Sequence, residues 1–170
     1  MFAPDPERAG YVVAVTAPTT EQATRAGRTL LAGVLLGLGT VAFVDETVFH
    51  QLLHRHHFYD RSTSDVGLVS DGVFHAFSWF ATVGALLLVA DLRRERAFWG
   101  RRFLAGWLAG AGFFQLYDGL VQHKLMGLHQ IRYEVDLLPY DVVWNVIAAA
   151  LLVAGVVLIA ATGRAARQPA

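Results

Sequence analysis

Four long apolar segments constrain the fold of this chain more than any other feature. They cover residues 29–53, 67–92, 103–126 and 138–161. Each is as long as the roughly 20 residues that a helix needs to cross a bilayer. Runs such as A-A-A-L-L-V-A-G-V-V-L-I-A-A are apolar on every face, as lipid-facing helices are. With 16% charged residues, four such helices would leave too little polar surface for a soluble monomer. The sequence therefore predicts an all-α integral membrane four-helix bundle in contact with the lipid bilayer.

Basic residues beside the helix ends predict the orientation of the bundle. Of the 14 Lys and Arg residues, ten lie before the first segment, between the second and third, or after the fourth. The other four are Arg55, Arg61, Lys124 and Arg132. Both termini and the middle loop are therefore expected in the cytoplasm. The predicted units are a mobile cytoplasmic tail (1–24), a four-helix transmembrane domain (25–163) and a second cytoplasmic tail (164–170).

Composition excludes several classes of partner and site. The formal net charge is zero, which gives no reason to expect nucleic acid. The chain has no cysteine, which excludes disulfides, thiolate metal sites and cysteine nucleophiles. Any metal ion must therefore be held by nitrogen and oxygen atoms.

The chain contains an internal repeat of polar residues. The pattern D-x4-H-x5-H occurs twice with an offset of 73, as Asp45, His50 and His56 and as Asp118, His123 and His129. A second match pairs S-D-G-V-F-H at residues 70–75 with Y-D-V-V-W-N at residues 140–145, in the same order. These matches predict a duplicated two-helix hairpin, with halves related by a pseudo-two-fold axis along the membrane normal.

Every predicted span carries ionisable residues near its outer end. Such residues are costly in a bilayer unless they are paired or hydrated, so they are candidates for function. Helix bundles gather imidazoles and carboxylates from facing helices to bind one or two metal ions. This donor set suits Zn, Cu or Fe, and also Mn. The candidate metal ligands are His50, His56, His57, Asp71, His75, Asp118, His123 and His129.

Simpler interpretations stay open for these residues. A buried histidine is often a hydrogen-bonded structural residue, and His75 and Asp71 could form a buried pair. Asp141 could cap the fourth helix. His54 is expected to be solvated or to support a ligand, and His56 and His57 are as compatible with the surface as with a metal site.

The five-residue spacing from Asp45 to His50 raises a geometric problem. On a regular α-helix it leaves the two side chains about 140° apart. Asp45 could instead orient an imidazole from a neighbouring helix, or a π-bulge could bring both residues to one face. We favour the first interpretation, with a regular helix.

Two G-x-x-x-G motifs, at Gly33–Gly37 and Gly106–Gly110, lie inside the first and third segments. Such motifs indicate close helix packing or dimerisation, so a homodimer is a candidate assembly. Glycine is also common in membrane helices, and for either pair alone this ordinary use is the preferred explanation.

Three sequence blocks resemble a bacterial family of small four-helix, histidine-rich membrane proteins of unknown function. They are F-V-D-x-x-V-F-H-Q-L-L-x-x-H-H, S-D-G-V-F-H-A-F and D-G-L-V-x-H-K-L-x-G-L-H-x-I-R, and the resemblance covers about residues 33–152. It implies a multi-pass protein of the bacterial inner (plasma) membrane, with respiratory oxidase assembly components as candidate partners.

The third block departs from the family pattern. The family more often has D-H-H and I-H-H where this chain has Gln122-His123-Lys124 and Leu128-His129-Gln130. One carboxylate and two histidines of that pattern are thus absent, so the resemblance does not imply a complete second metal site.

Three functions remain open on the sequence. The favoured one is a membrane metalloprotein for metal-dependent catalysis or for respiratory-chain metal handling. As an enzyme, an oxidoreductase or hydrolase, it would use the metal to activate water or dioxygen, with Asp45 or Asp118 as the catalytic, proton-handling group. The alternatives are a proton or metal-ion conduit, in which Asp and His side chains relay protons, and a haem b electron carrier.

Overall fold

The computed structural model describes residues 20–165, and all regular elements in this range are helical. No strand occurs within it, which confirms the all-α prediction. The first and third helices each continue into a π-helix. The elements are α1 (Thr20–Asp45), π1 (Glu46–Leu52), α2 (Ser64–Arg94), α3 (Gly100–Tyr117), π2 (Asp118–Met126) and α4 (Leu138–Ala165).

Helix α1 begins at Thr20, inside the segment predicted as a mobile tail. The boundary expected at residue 24 is therefore too late for the start of this helix. The remainder of both predicted tails, residues 1–19 and 166–170, lies outside the described residues.

The four helices are arranged in the order α2, α1, α3, α4. Helix α1 packs against α2 and α3, and α3 packs against α1 and α4. Over the described range, the backbone of α1 does not approach that of α4, nor the backbone of α2 that of α3, although the rings of Phe74 and Phe114 meet between α2 and α3. Two grooves therefore remain open, one on each side of the central α1–α3 pair.

The two G-x-x-x-G motifs hold the central pair together. A Cβ atom at Gly33 would overlap the backbone of Phe103, and one at Gly106 would overlap the carbonyl of Leu30. The motifs therefore act in close packing within one chain, and ordinary glycine use is the wrong explanation for them. Because they face each other, they are not free to form an intermolecular contact.

Three helical segments are long and apolar enough to cross a membrane: Thr20–Leu52, Ser64–Arg94 and Leu138–Arg164. Helix α3 is less apolar, because small glycines and Gln115 replace larger aliphatic residues. Its position between α1 and α4 explains this difference, since a helix covered on two sides exposes less surface to lipid. All four predicted segments are helical, as the predicted helical bundle requires, and three of the four are long and apolar enough to span a bilayer, as expected.

An ion pair joins the start of α1 to the end of α2. Arg28 Nη1 lies 3.0 and 2.7 Å from the two carboxylate oxygens of Glu95. The start of α1 and the α2–α3 connection therefore lie at one end of the bundle. π1, π2 and the loops at residues 53–63 and 127–137 meet at the opposite end, which we call the histidine end.

The two halves of the chain share their irregular features. The change from α- to π-helix occurs at Glu46 and at Asp118, close to the offset of 73. His54 and Gly127, which are 73 residues apart, both have positive φ angles, 48° and 58°. A left-handed residue thus follows each π-helix, two residues after π1 and directly after π2, and the loop beyond it carries a histidine of the repeat.

Candidate metal centre

The first group of candidate ligands comprises Asp45, His50 and His56. Asp45 is the last residue of α1, His50 lies in π1 and His56 lies in the following loop. One ligand atom from each lies within 4.8 Å of the others, and Asp45 Oδ2 is 3.9 Å from His50 Nε2. All three residues are buried. Two imidazoles and one carboxylate on one side of an ion form the facial set that leaves other coordination positions open.

The second group has the same composition and uses Asp118, His123 and His129. His123 Nε2 lies 3.0 Å from Asp118 Oδ2, and His129 Nε2 lies 3.5 Å from Asp118 Oδ1. These residues are also buried, and their ligand atoms also lie within 4.8 Å of one another. The repeat seen in the sequence is therefore a pair of equivalent donor sets.

The π-helices explain how residues five apart reach the same place. In a π-helix the hydrogen bonds join residues i and i+5, so residues at this spacing lie above one another. Glu46 and Gln51 use the same spacing, with Gln51 Nε2 donating to Glu46 Oε1 at 2.7 Å. The expected regular helix is therefore wrong, and the alternative that brings Asp45 to the face of His50 is the one found.

The two donor sets adjoin and form one cluster. The rings of His56 and His129 stack with centroids 4.5 Å apart and planes at 5°. His50 lies 4.6 Å from His56, and His123 lies 4.7 Å from His129, between ring centroids. Four imidazoles and two carboxylates are thus gathered in one buried cluster.

Hydrogen bonds on the far side of two rings orient their free nitrogens toward the carboxylates. His50 Nδ1 donates to Asp71 Oδ1 at 3.1 Å and lies 2.9 Å from Glu46 Oε2. His129 Nδ1 donates to the carbonyl oxygen of Phe58 at 2.8 Å. Assigning the ring protons to these hydrogen bonds leaves a lone pair on Nε2 of each ring. Because a lone pair facing a carboxylate is repulsive, a cation between them would stabilise the arrangement.

His56 is the least satisfied member of the cluster. Both of its ring nitrogens are buried and have no hydrogen-bond partner among the described residues. Burial, reinforced by His129, His50 and His123, lowers the pKa of His56 to about 2. The ring is therefore neutral at physiological pH. Leaving a buried polar atom unpaired costs about 1–3 kcal/mol, and a bound metal ion would remove this cost.

Asp71 is positioned to orient ligands and to anchor a loop. Its carboxylate accepts from His50 Nδ1, from the backbone N–H of Phe58 at 2.6 Å and from His57 Nδ1 at 2.6 Å. With Glu46 and His50 it forms a third group that could hold a metal ion. Since it shares His50 with the first group, its contacts fit a carboxylate that fixes the orientation of a ligand histidine.

Three histidines near the cluster belong to neither donor set. His75, a predicted ligand, is exposed and packs against the Phe43 ring at a centroid distance of 5.8 Å. The buried face of α2 follows Asp71, Phe74 and Ser78, and His75 projects to one side of this line. His54 is also exposed, as its expected solvated position requires. His57 contacts Asp71 but belongs to neither donor set.

In the second half of the chain, the region that corresponds to the surroundings of Asp71 contains the ammonium group of Lys124. Lys124 Nζ lies 2.6 Å from Asp141 Oδ2 and donates to Gln130 Oε1 at 3.0 Å. Asp141 and Gln130 occupy the positions that correspond to Asp71 and His57. The ammonium thus neutralises this carboxylate. The cap interpretation of Asp141 is wrong, because Asp141 lies inside α4 and the N–H of Leu138 at the helix start donates to Asp136 Oδ1 at 3.1 Å.

The ligand list from the sequence missed two buried polar residues. Glu46 and Gln122 are both about as buried as the histidines, at 1% and 3% exposure. The four-residue spacing between Glu46 and His50 was a usable signal for the first. Gln122 precedes His123 directly, and Gln122 Oε1 has no hydrogen-bond partner among the described residues.

The cluster is reached from the loop side through a small cavity of 190 Å³. Its lining includes His50, His56 and His57, together with Arg55 and Asp60. This space admits water or a small molecule to the first donor set without exposing the whole cluster.

Comparison with known families is consistent with this architecture. The family model described as Predicted membrane protein (DUF2243) matches residues 32–162. The chain belongs to this family. The match confirms the resemblance seen in the sequence blocks, and the DUF2243 region contains both donor sets, both π-helices and all four helices over most of their length. No curated protein and no solved structure matches the chain.

Proposed function

We propose that this DUF2243 protein is an integral membrane metalloprotein that holds two transition-metal ions, one in each donor set, for metal-dependent catalysis. The observation that carries the proposal is the convergence of four buried imidazoles on two buried carboxylates, with free ring nitrogens facing them. Each set supplies three ligands, so each ion would keep open positions for substrate or water.

The matching halves support a site that arose by duplication of one two-helix hairpin. The α-to-π changes, the left-handed residues His54 and Gly127 and the three ligands of each set recur at corresponding positions. Such correspondence favours two ions related by a pseudo-two-fold axis over a single ion placed off that axis.

The bound metal would supply Lewis acidity for the activation of water or, as Cu or Fe, redox chemistry for the activation of dioxygen. The chain's own residues would orient the ligand histidines and exclude lipid from the site. Asp71 and the carbonyl of Phe58 fix the tautomers of His50 and His129, and the stacked aromatic side chains of Phe58 and Phe74 keep bulk lipid away. Of the two aspartates expected to handle protons, Asp45 is the better placed, because it also lines a cavity that reaches the cluster from the side.

The conduit hypothesis is less well supported. An ion or proton relay across the bundle needs ionisable side chains along its length. Helix α1 has none between Arg28 and Asp45, and α4 has none between Asp141 and Arg164. The polar cluster at the histidine end therefore has no continuation toward the opposite end.

The haem hypothesis is also less well supported, because the imidazoles lie against one another. His56 and His129 stack at 4.5 Å, and the cavity beside the first set measures 190 Å³. This spacing leaves no room for a planar macrocycle between axial histidines.

Metal analysis of the purified protein tests the proposal. After loading with Zn, Cu, Fe or Mn and dialysis, we expect two ions of one metal per chain by mass spectrometry. His56→Ala and His129→Ala, both in loops, should each remove about one ion. His75→Ala is the matched control and should retain both. If no metal is retained under any loading condition, or if His75→Ala loses metal as the two loop variants do, the proposed centre is wrong.

A further inference from the structure

The groove between α1 and α4 reaches the first donor set from the membrane side. It consists of two adjoining cavities of 490 and 280 Å³ that share Phe49, Gln115 and Trp144 as lining residues. The larger cavity opens at the histidine end, and the smaller one includes Asp45 in its lining. We call these two cavities the α1–α4 groove.

The walls of this groove are apolar, while its outer end is cationic. The larger cavity is lined by aliphatic and aromatic residues such as Ile131, Val143 and Ile147, with Arg55 and Arg132 beside them. Neither arginine forms an ion pair with a carboxylate among the described residues. Arg132 is held in place by Tyr140, since its Nη1 donates to the Tyr140 hydroxyl at 3.0 Å. Two unneutralised guanidinium groups above an apolar channel are complementary to an anionic headgroup that carries a hydrocarbon chain.

The corresponding groove on the other side of the molecule lacks both features. This α2–α3 groove, of 380 Å³, has Phe58, Phe74 and Phe114 in its lining and no charged residue. Phe74 stacks on Phe58 at 4.8 Å and on Phe114 at 5.7 Å. At the positions that match Arg55 and Arg132 the chain has Leu128 and Tyr59. The cationic end and the opening to an aspartate of the cluster are therefore specific to the α1–α4 groove.

We propose that the α1–α4 groove binds an anionic amphiphile of the membrane, with its headgroup at Arg55 and Arg132 and its hydrocarbon chain along the groove toward Asp45. This inference rests on the proposed function, because it names the substrate class of the first donor set. The headgroup chemistry common to a fatty-acid carboxylate and a phosphate ester fits the two arginines, and a neutral lipid has no group that would use them.

Tryptophan quenching offers a direct test, because Trp107 and Trp144 line the groove. The background variant carries Trp79→Phe and Trp99→Phe, which remove the other two tryptophans. Metal-loaded protein in zwitterionic lipid discs would be titrated with three brominated probes of equal chain length. They are a fatty-acid carboxylate, an alkyl phosphate and a fatty alcohol.

We expect saturable quenching by at least one of the anionic probes and weak, unsaturable quenching by the alcohol. The anion that binds more tightly identifies the headgroup. Arg55→Gln combined with Arg132→Gln should weaken binding about tenfold or more, because hydrogen bonds to charged groups are lost. Arg61→Gln, at the same end but outside the groove, is the matched control and should leave binding unchanged.

Equal quenching by the alcohol, or no effect of the double arginine substitution, would show that the groove only dissolves bulk lipid and would overturn the proposal. Absence of quenching by every probe would overturn it as well. The metal content of each sample separates the two proposals. A chain with both ions but no saturable quenching contradicts the amphiphile site alone, and a chain without metal contradicts the proposed centre.

Discussion

The histidines of the cluster are notable less for their number than for the ring nitrogens that lack a hydrogen-bond partner. Four histidines could be buried as ordinary hydrogen-bonded residues if each ring nitrogen had a partner. Instead, within residues 20–165 His56 has no hydrogen-bond partner on either ring nitrogen, and the Nε2 atoms of His50 and His129 face carboxylates. This arrangement is costly without a cation, and this cost supports the proposed metal centre.

At the residue scale, His54 provides a test that separates strain from metal binding. It adopts a left-handed conformation with φ of 48° at the position where the second half has Gly127. This conformation costs a non-glycine residue roughly 1–2 kcal/mol. His54→Gly should therefore raise the unfolding temperature in detergent by about 2–8 °C.

The reciprocal change, Gly127→Ala, should lower the unfolding temperature by a similar amount. Metal content should stay at two ions in His54→Gly, because this exposed side chain is outside both donor sets. A loss of metal in His54→Gly would make His54 a ligand.

Much of the cluster was predictable from residue identities, and its geometry was not. The D-x4-H-x5-H repeat picked out all six members of the two donor sets, since both copies preserve type and spacing. The position of His75 depends on which face of α2 packs against α1. The spacing of four residues from Asp71 does not determine that face. Glu46 lies outside this repeat, since the second half has Gly119 at the corresponding position, and only its four-residue spacing to His50 indicated a role.

At the scale of elements, the close glycine contact between α1 and α3 determines where the two π-helices meet. We call this contact the α1–α3 seam. The helices approach so closely at Gly33, Gly37, Gly106 and Gly110 that no side chain fits between them. This contact fixes the relative height of α1 and α3, and hence the level at which Asp45 and Asp118 begin the π-helices. The seam thus aligns the two donor sets, whose first residues, Asp45 and Asp118, lie eight residues after Gly37 and Gly110.

Substitutions in the seam should reveal this coupling. A Cβ atom at Gly106 would overlap the Leu30 carbonyl, whereas one at Gly84 in α2 meets nothing within 4 Å. Gly106→Ala should lower the free energy of unfolding by about 1–3 kcal/mol, as overpacking does. Gly84→Ala, the matched control, should be neutral or slightly stabilising. Thermal unfolding in one detergent compares the stabilities of the two variants. Equal stability would mean that α1 and α3 can move apart at the seam without cost.

At the scale of the whole molecule, helix number and class follow from hydropathy, while helix order does not. The apolar segments located all four helices within a few residues at most ends, because length and composition are strong signals for spanning helices. The order α2, α1, α3, α4 and the two open grooves depend on which faces pack, and the nearly uniform apolar surfaces carry little information on that. The grooves matter because only one of them joins a cationic end to Asp45.

The orientation of the molecule determines which side of the membrane the cluster serves. Basic residues favour placing the histidine end outside the cell, because eight of the 12 Lys and Arg residues that the structure describes flank the opposite end. The chain has no cysteine, so a single introduced cysteine can be labelled without a signal from other thiols of the chain. Ser62→Cys lies in the loop at residues 53–63, and Arg96→Cys lies between α2 and α3. In intact bacteria, a membrane-impermeant maleimide should label Ser62→Cys, and it should label Arg96→Cys only after permeabilisation. The reverse pattern would place the cluster at the cytoplasmic face. In that case Arg55 and Arg132 would meet the headgroups of the inner leaflet, and the amphiphile would enter the groove from the cytoplasmic side.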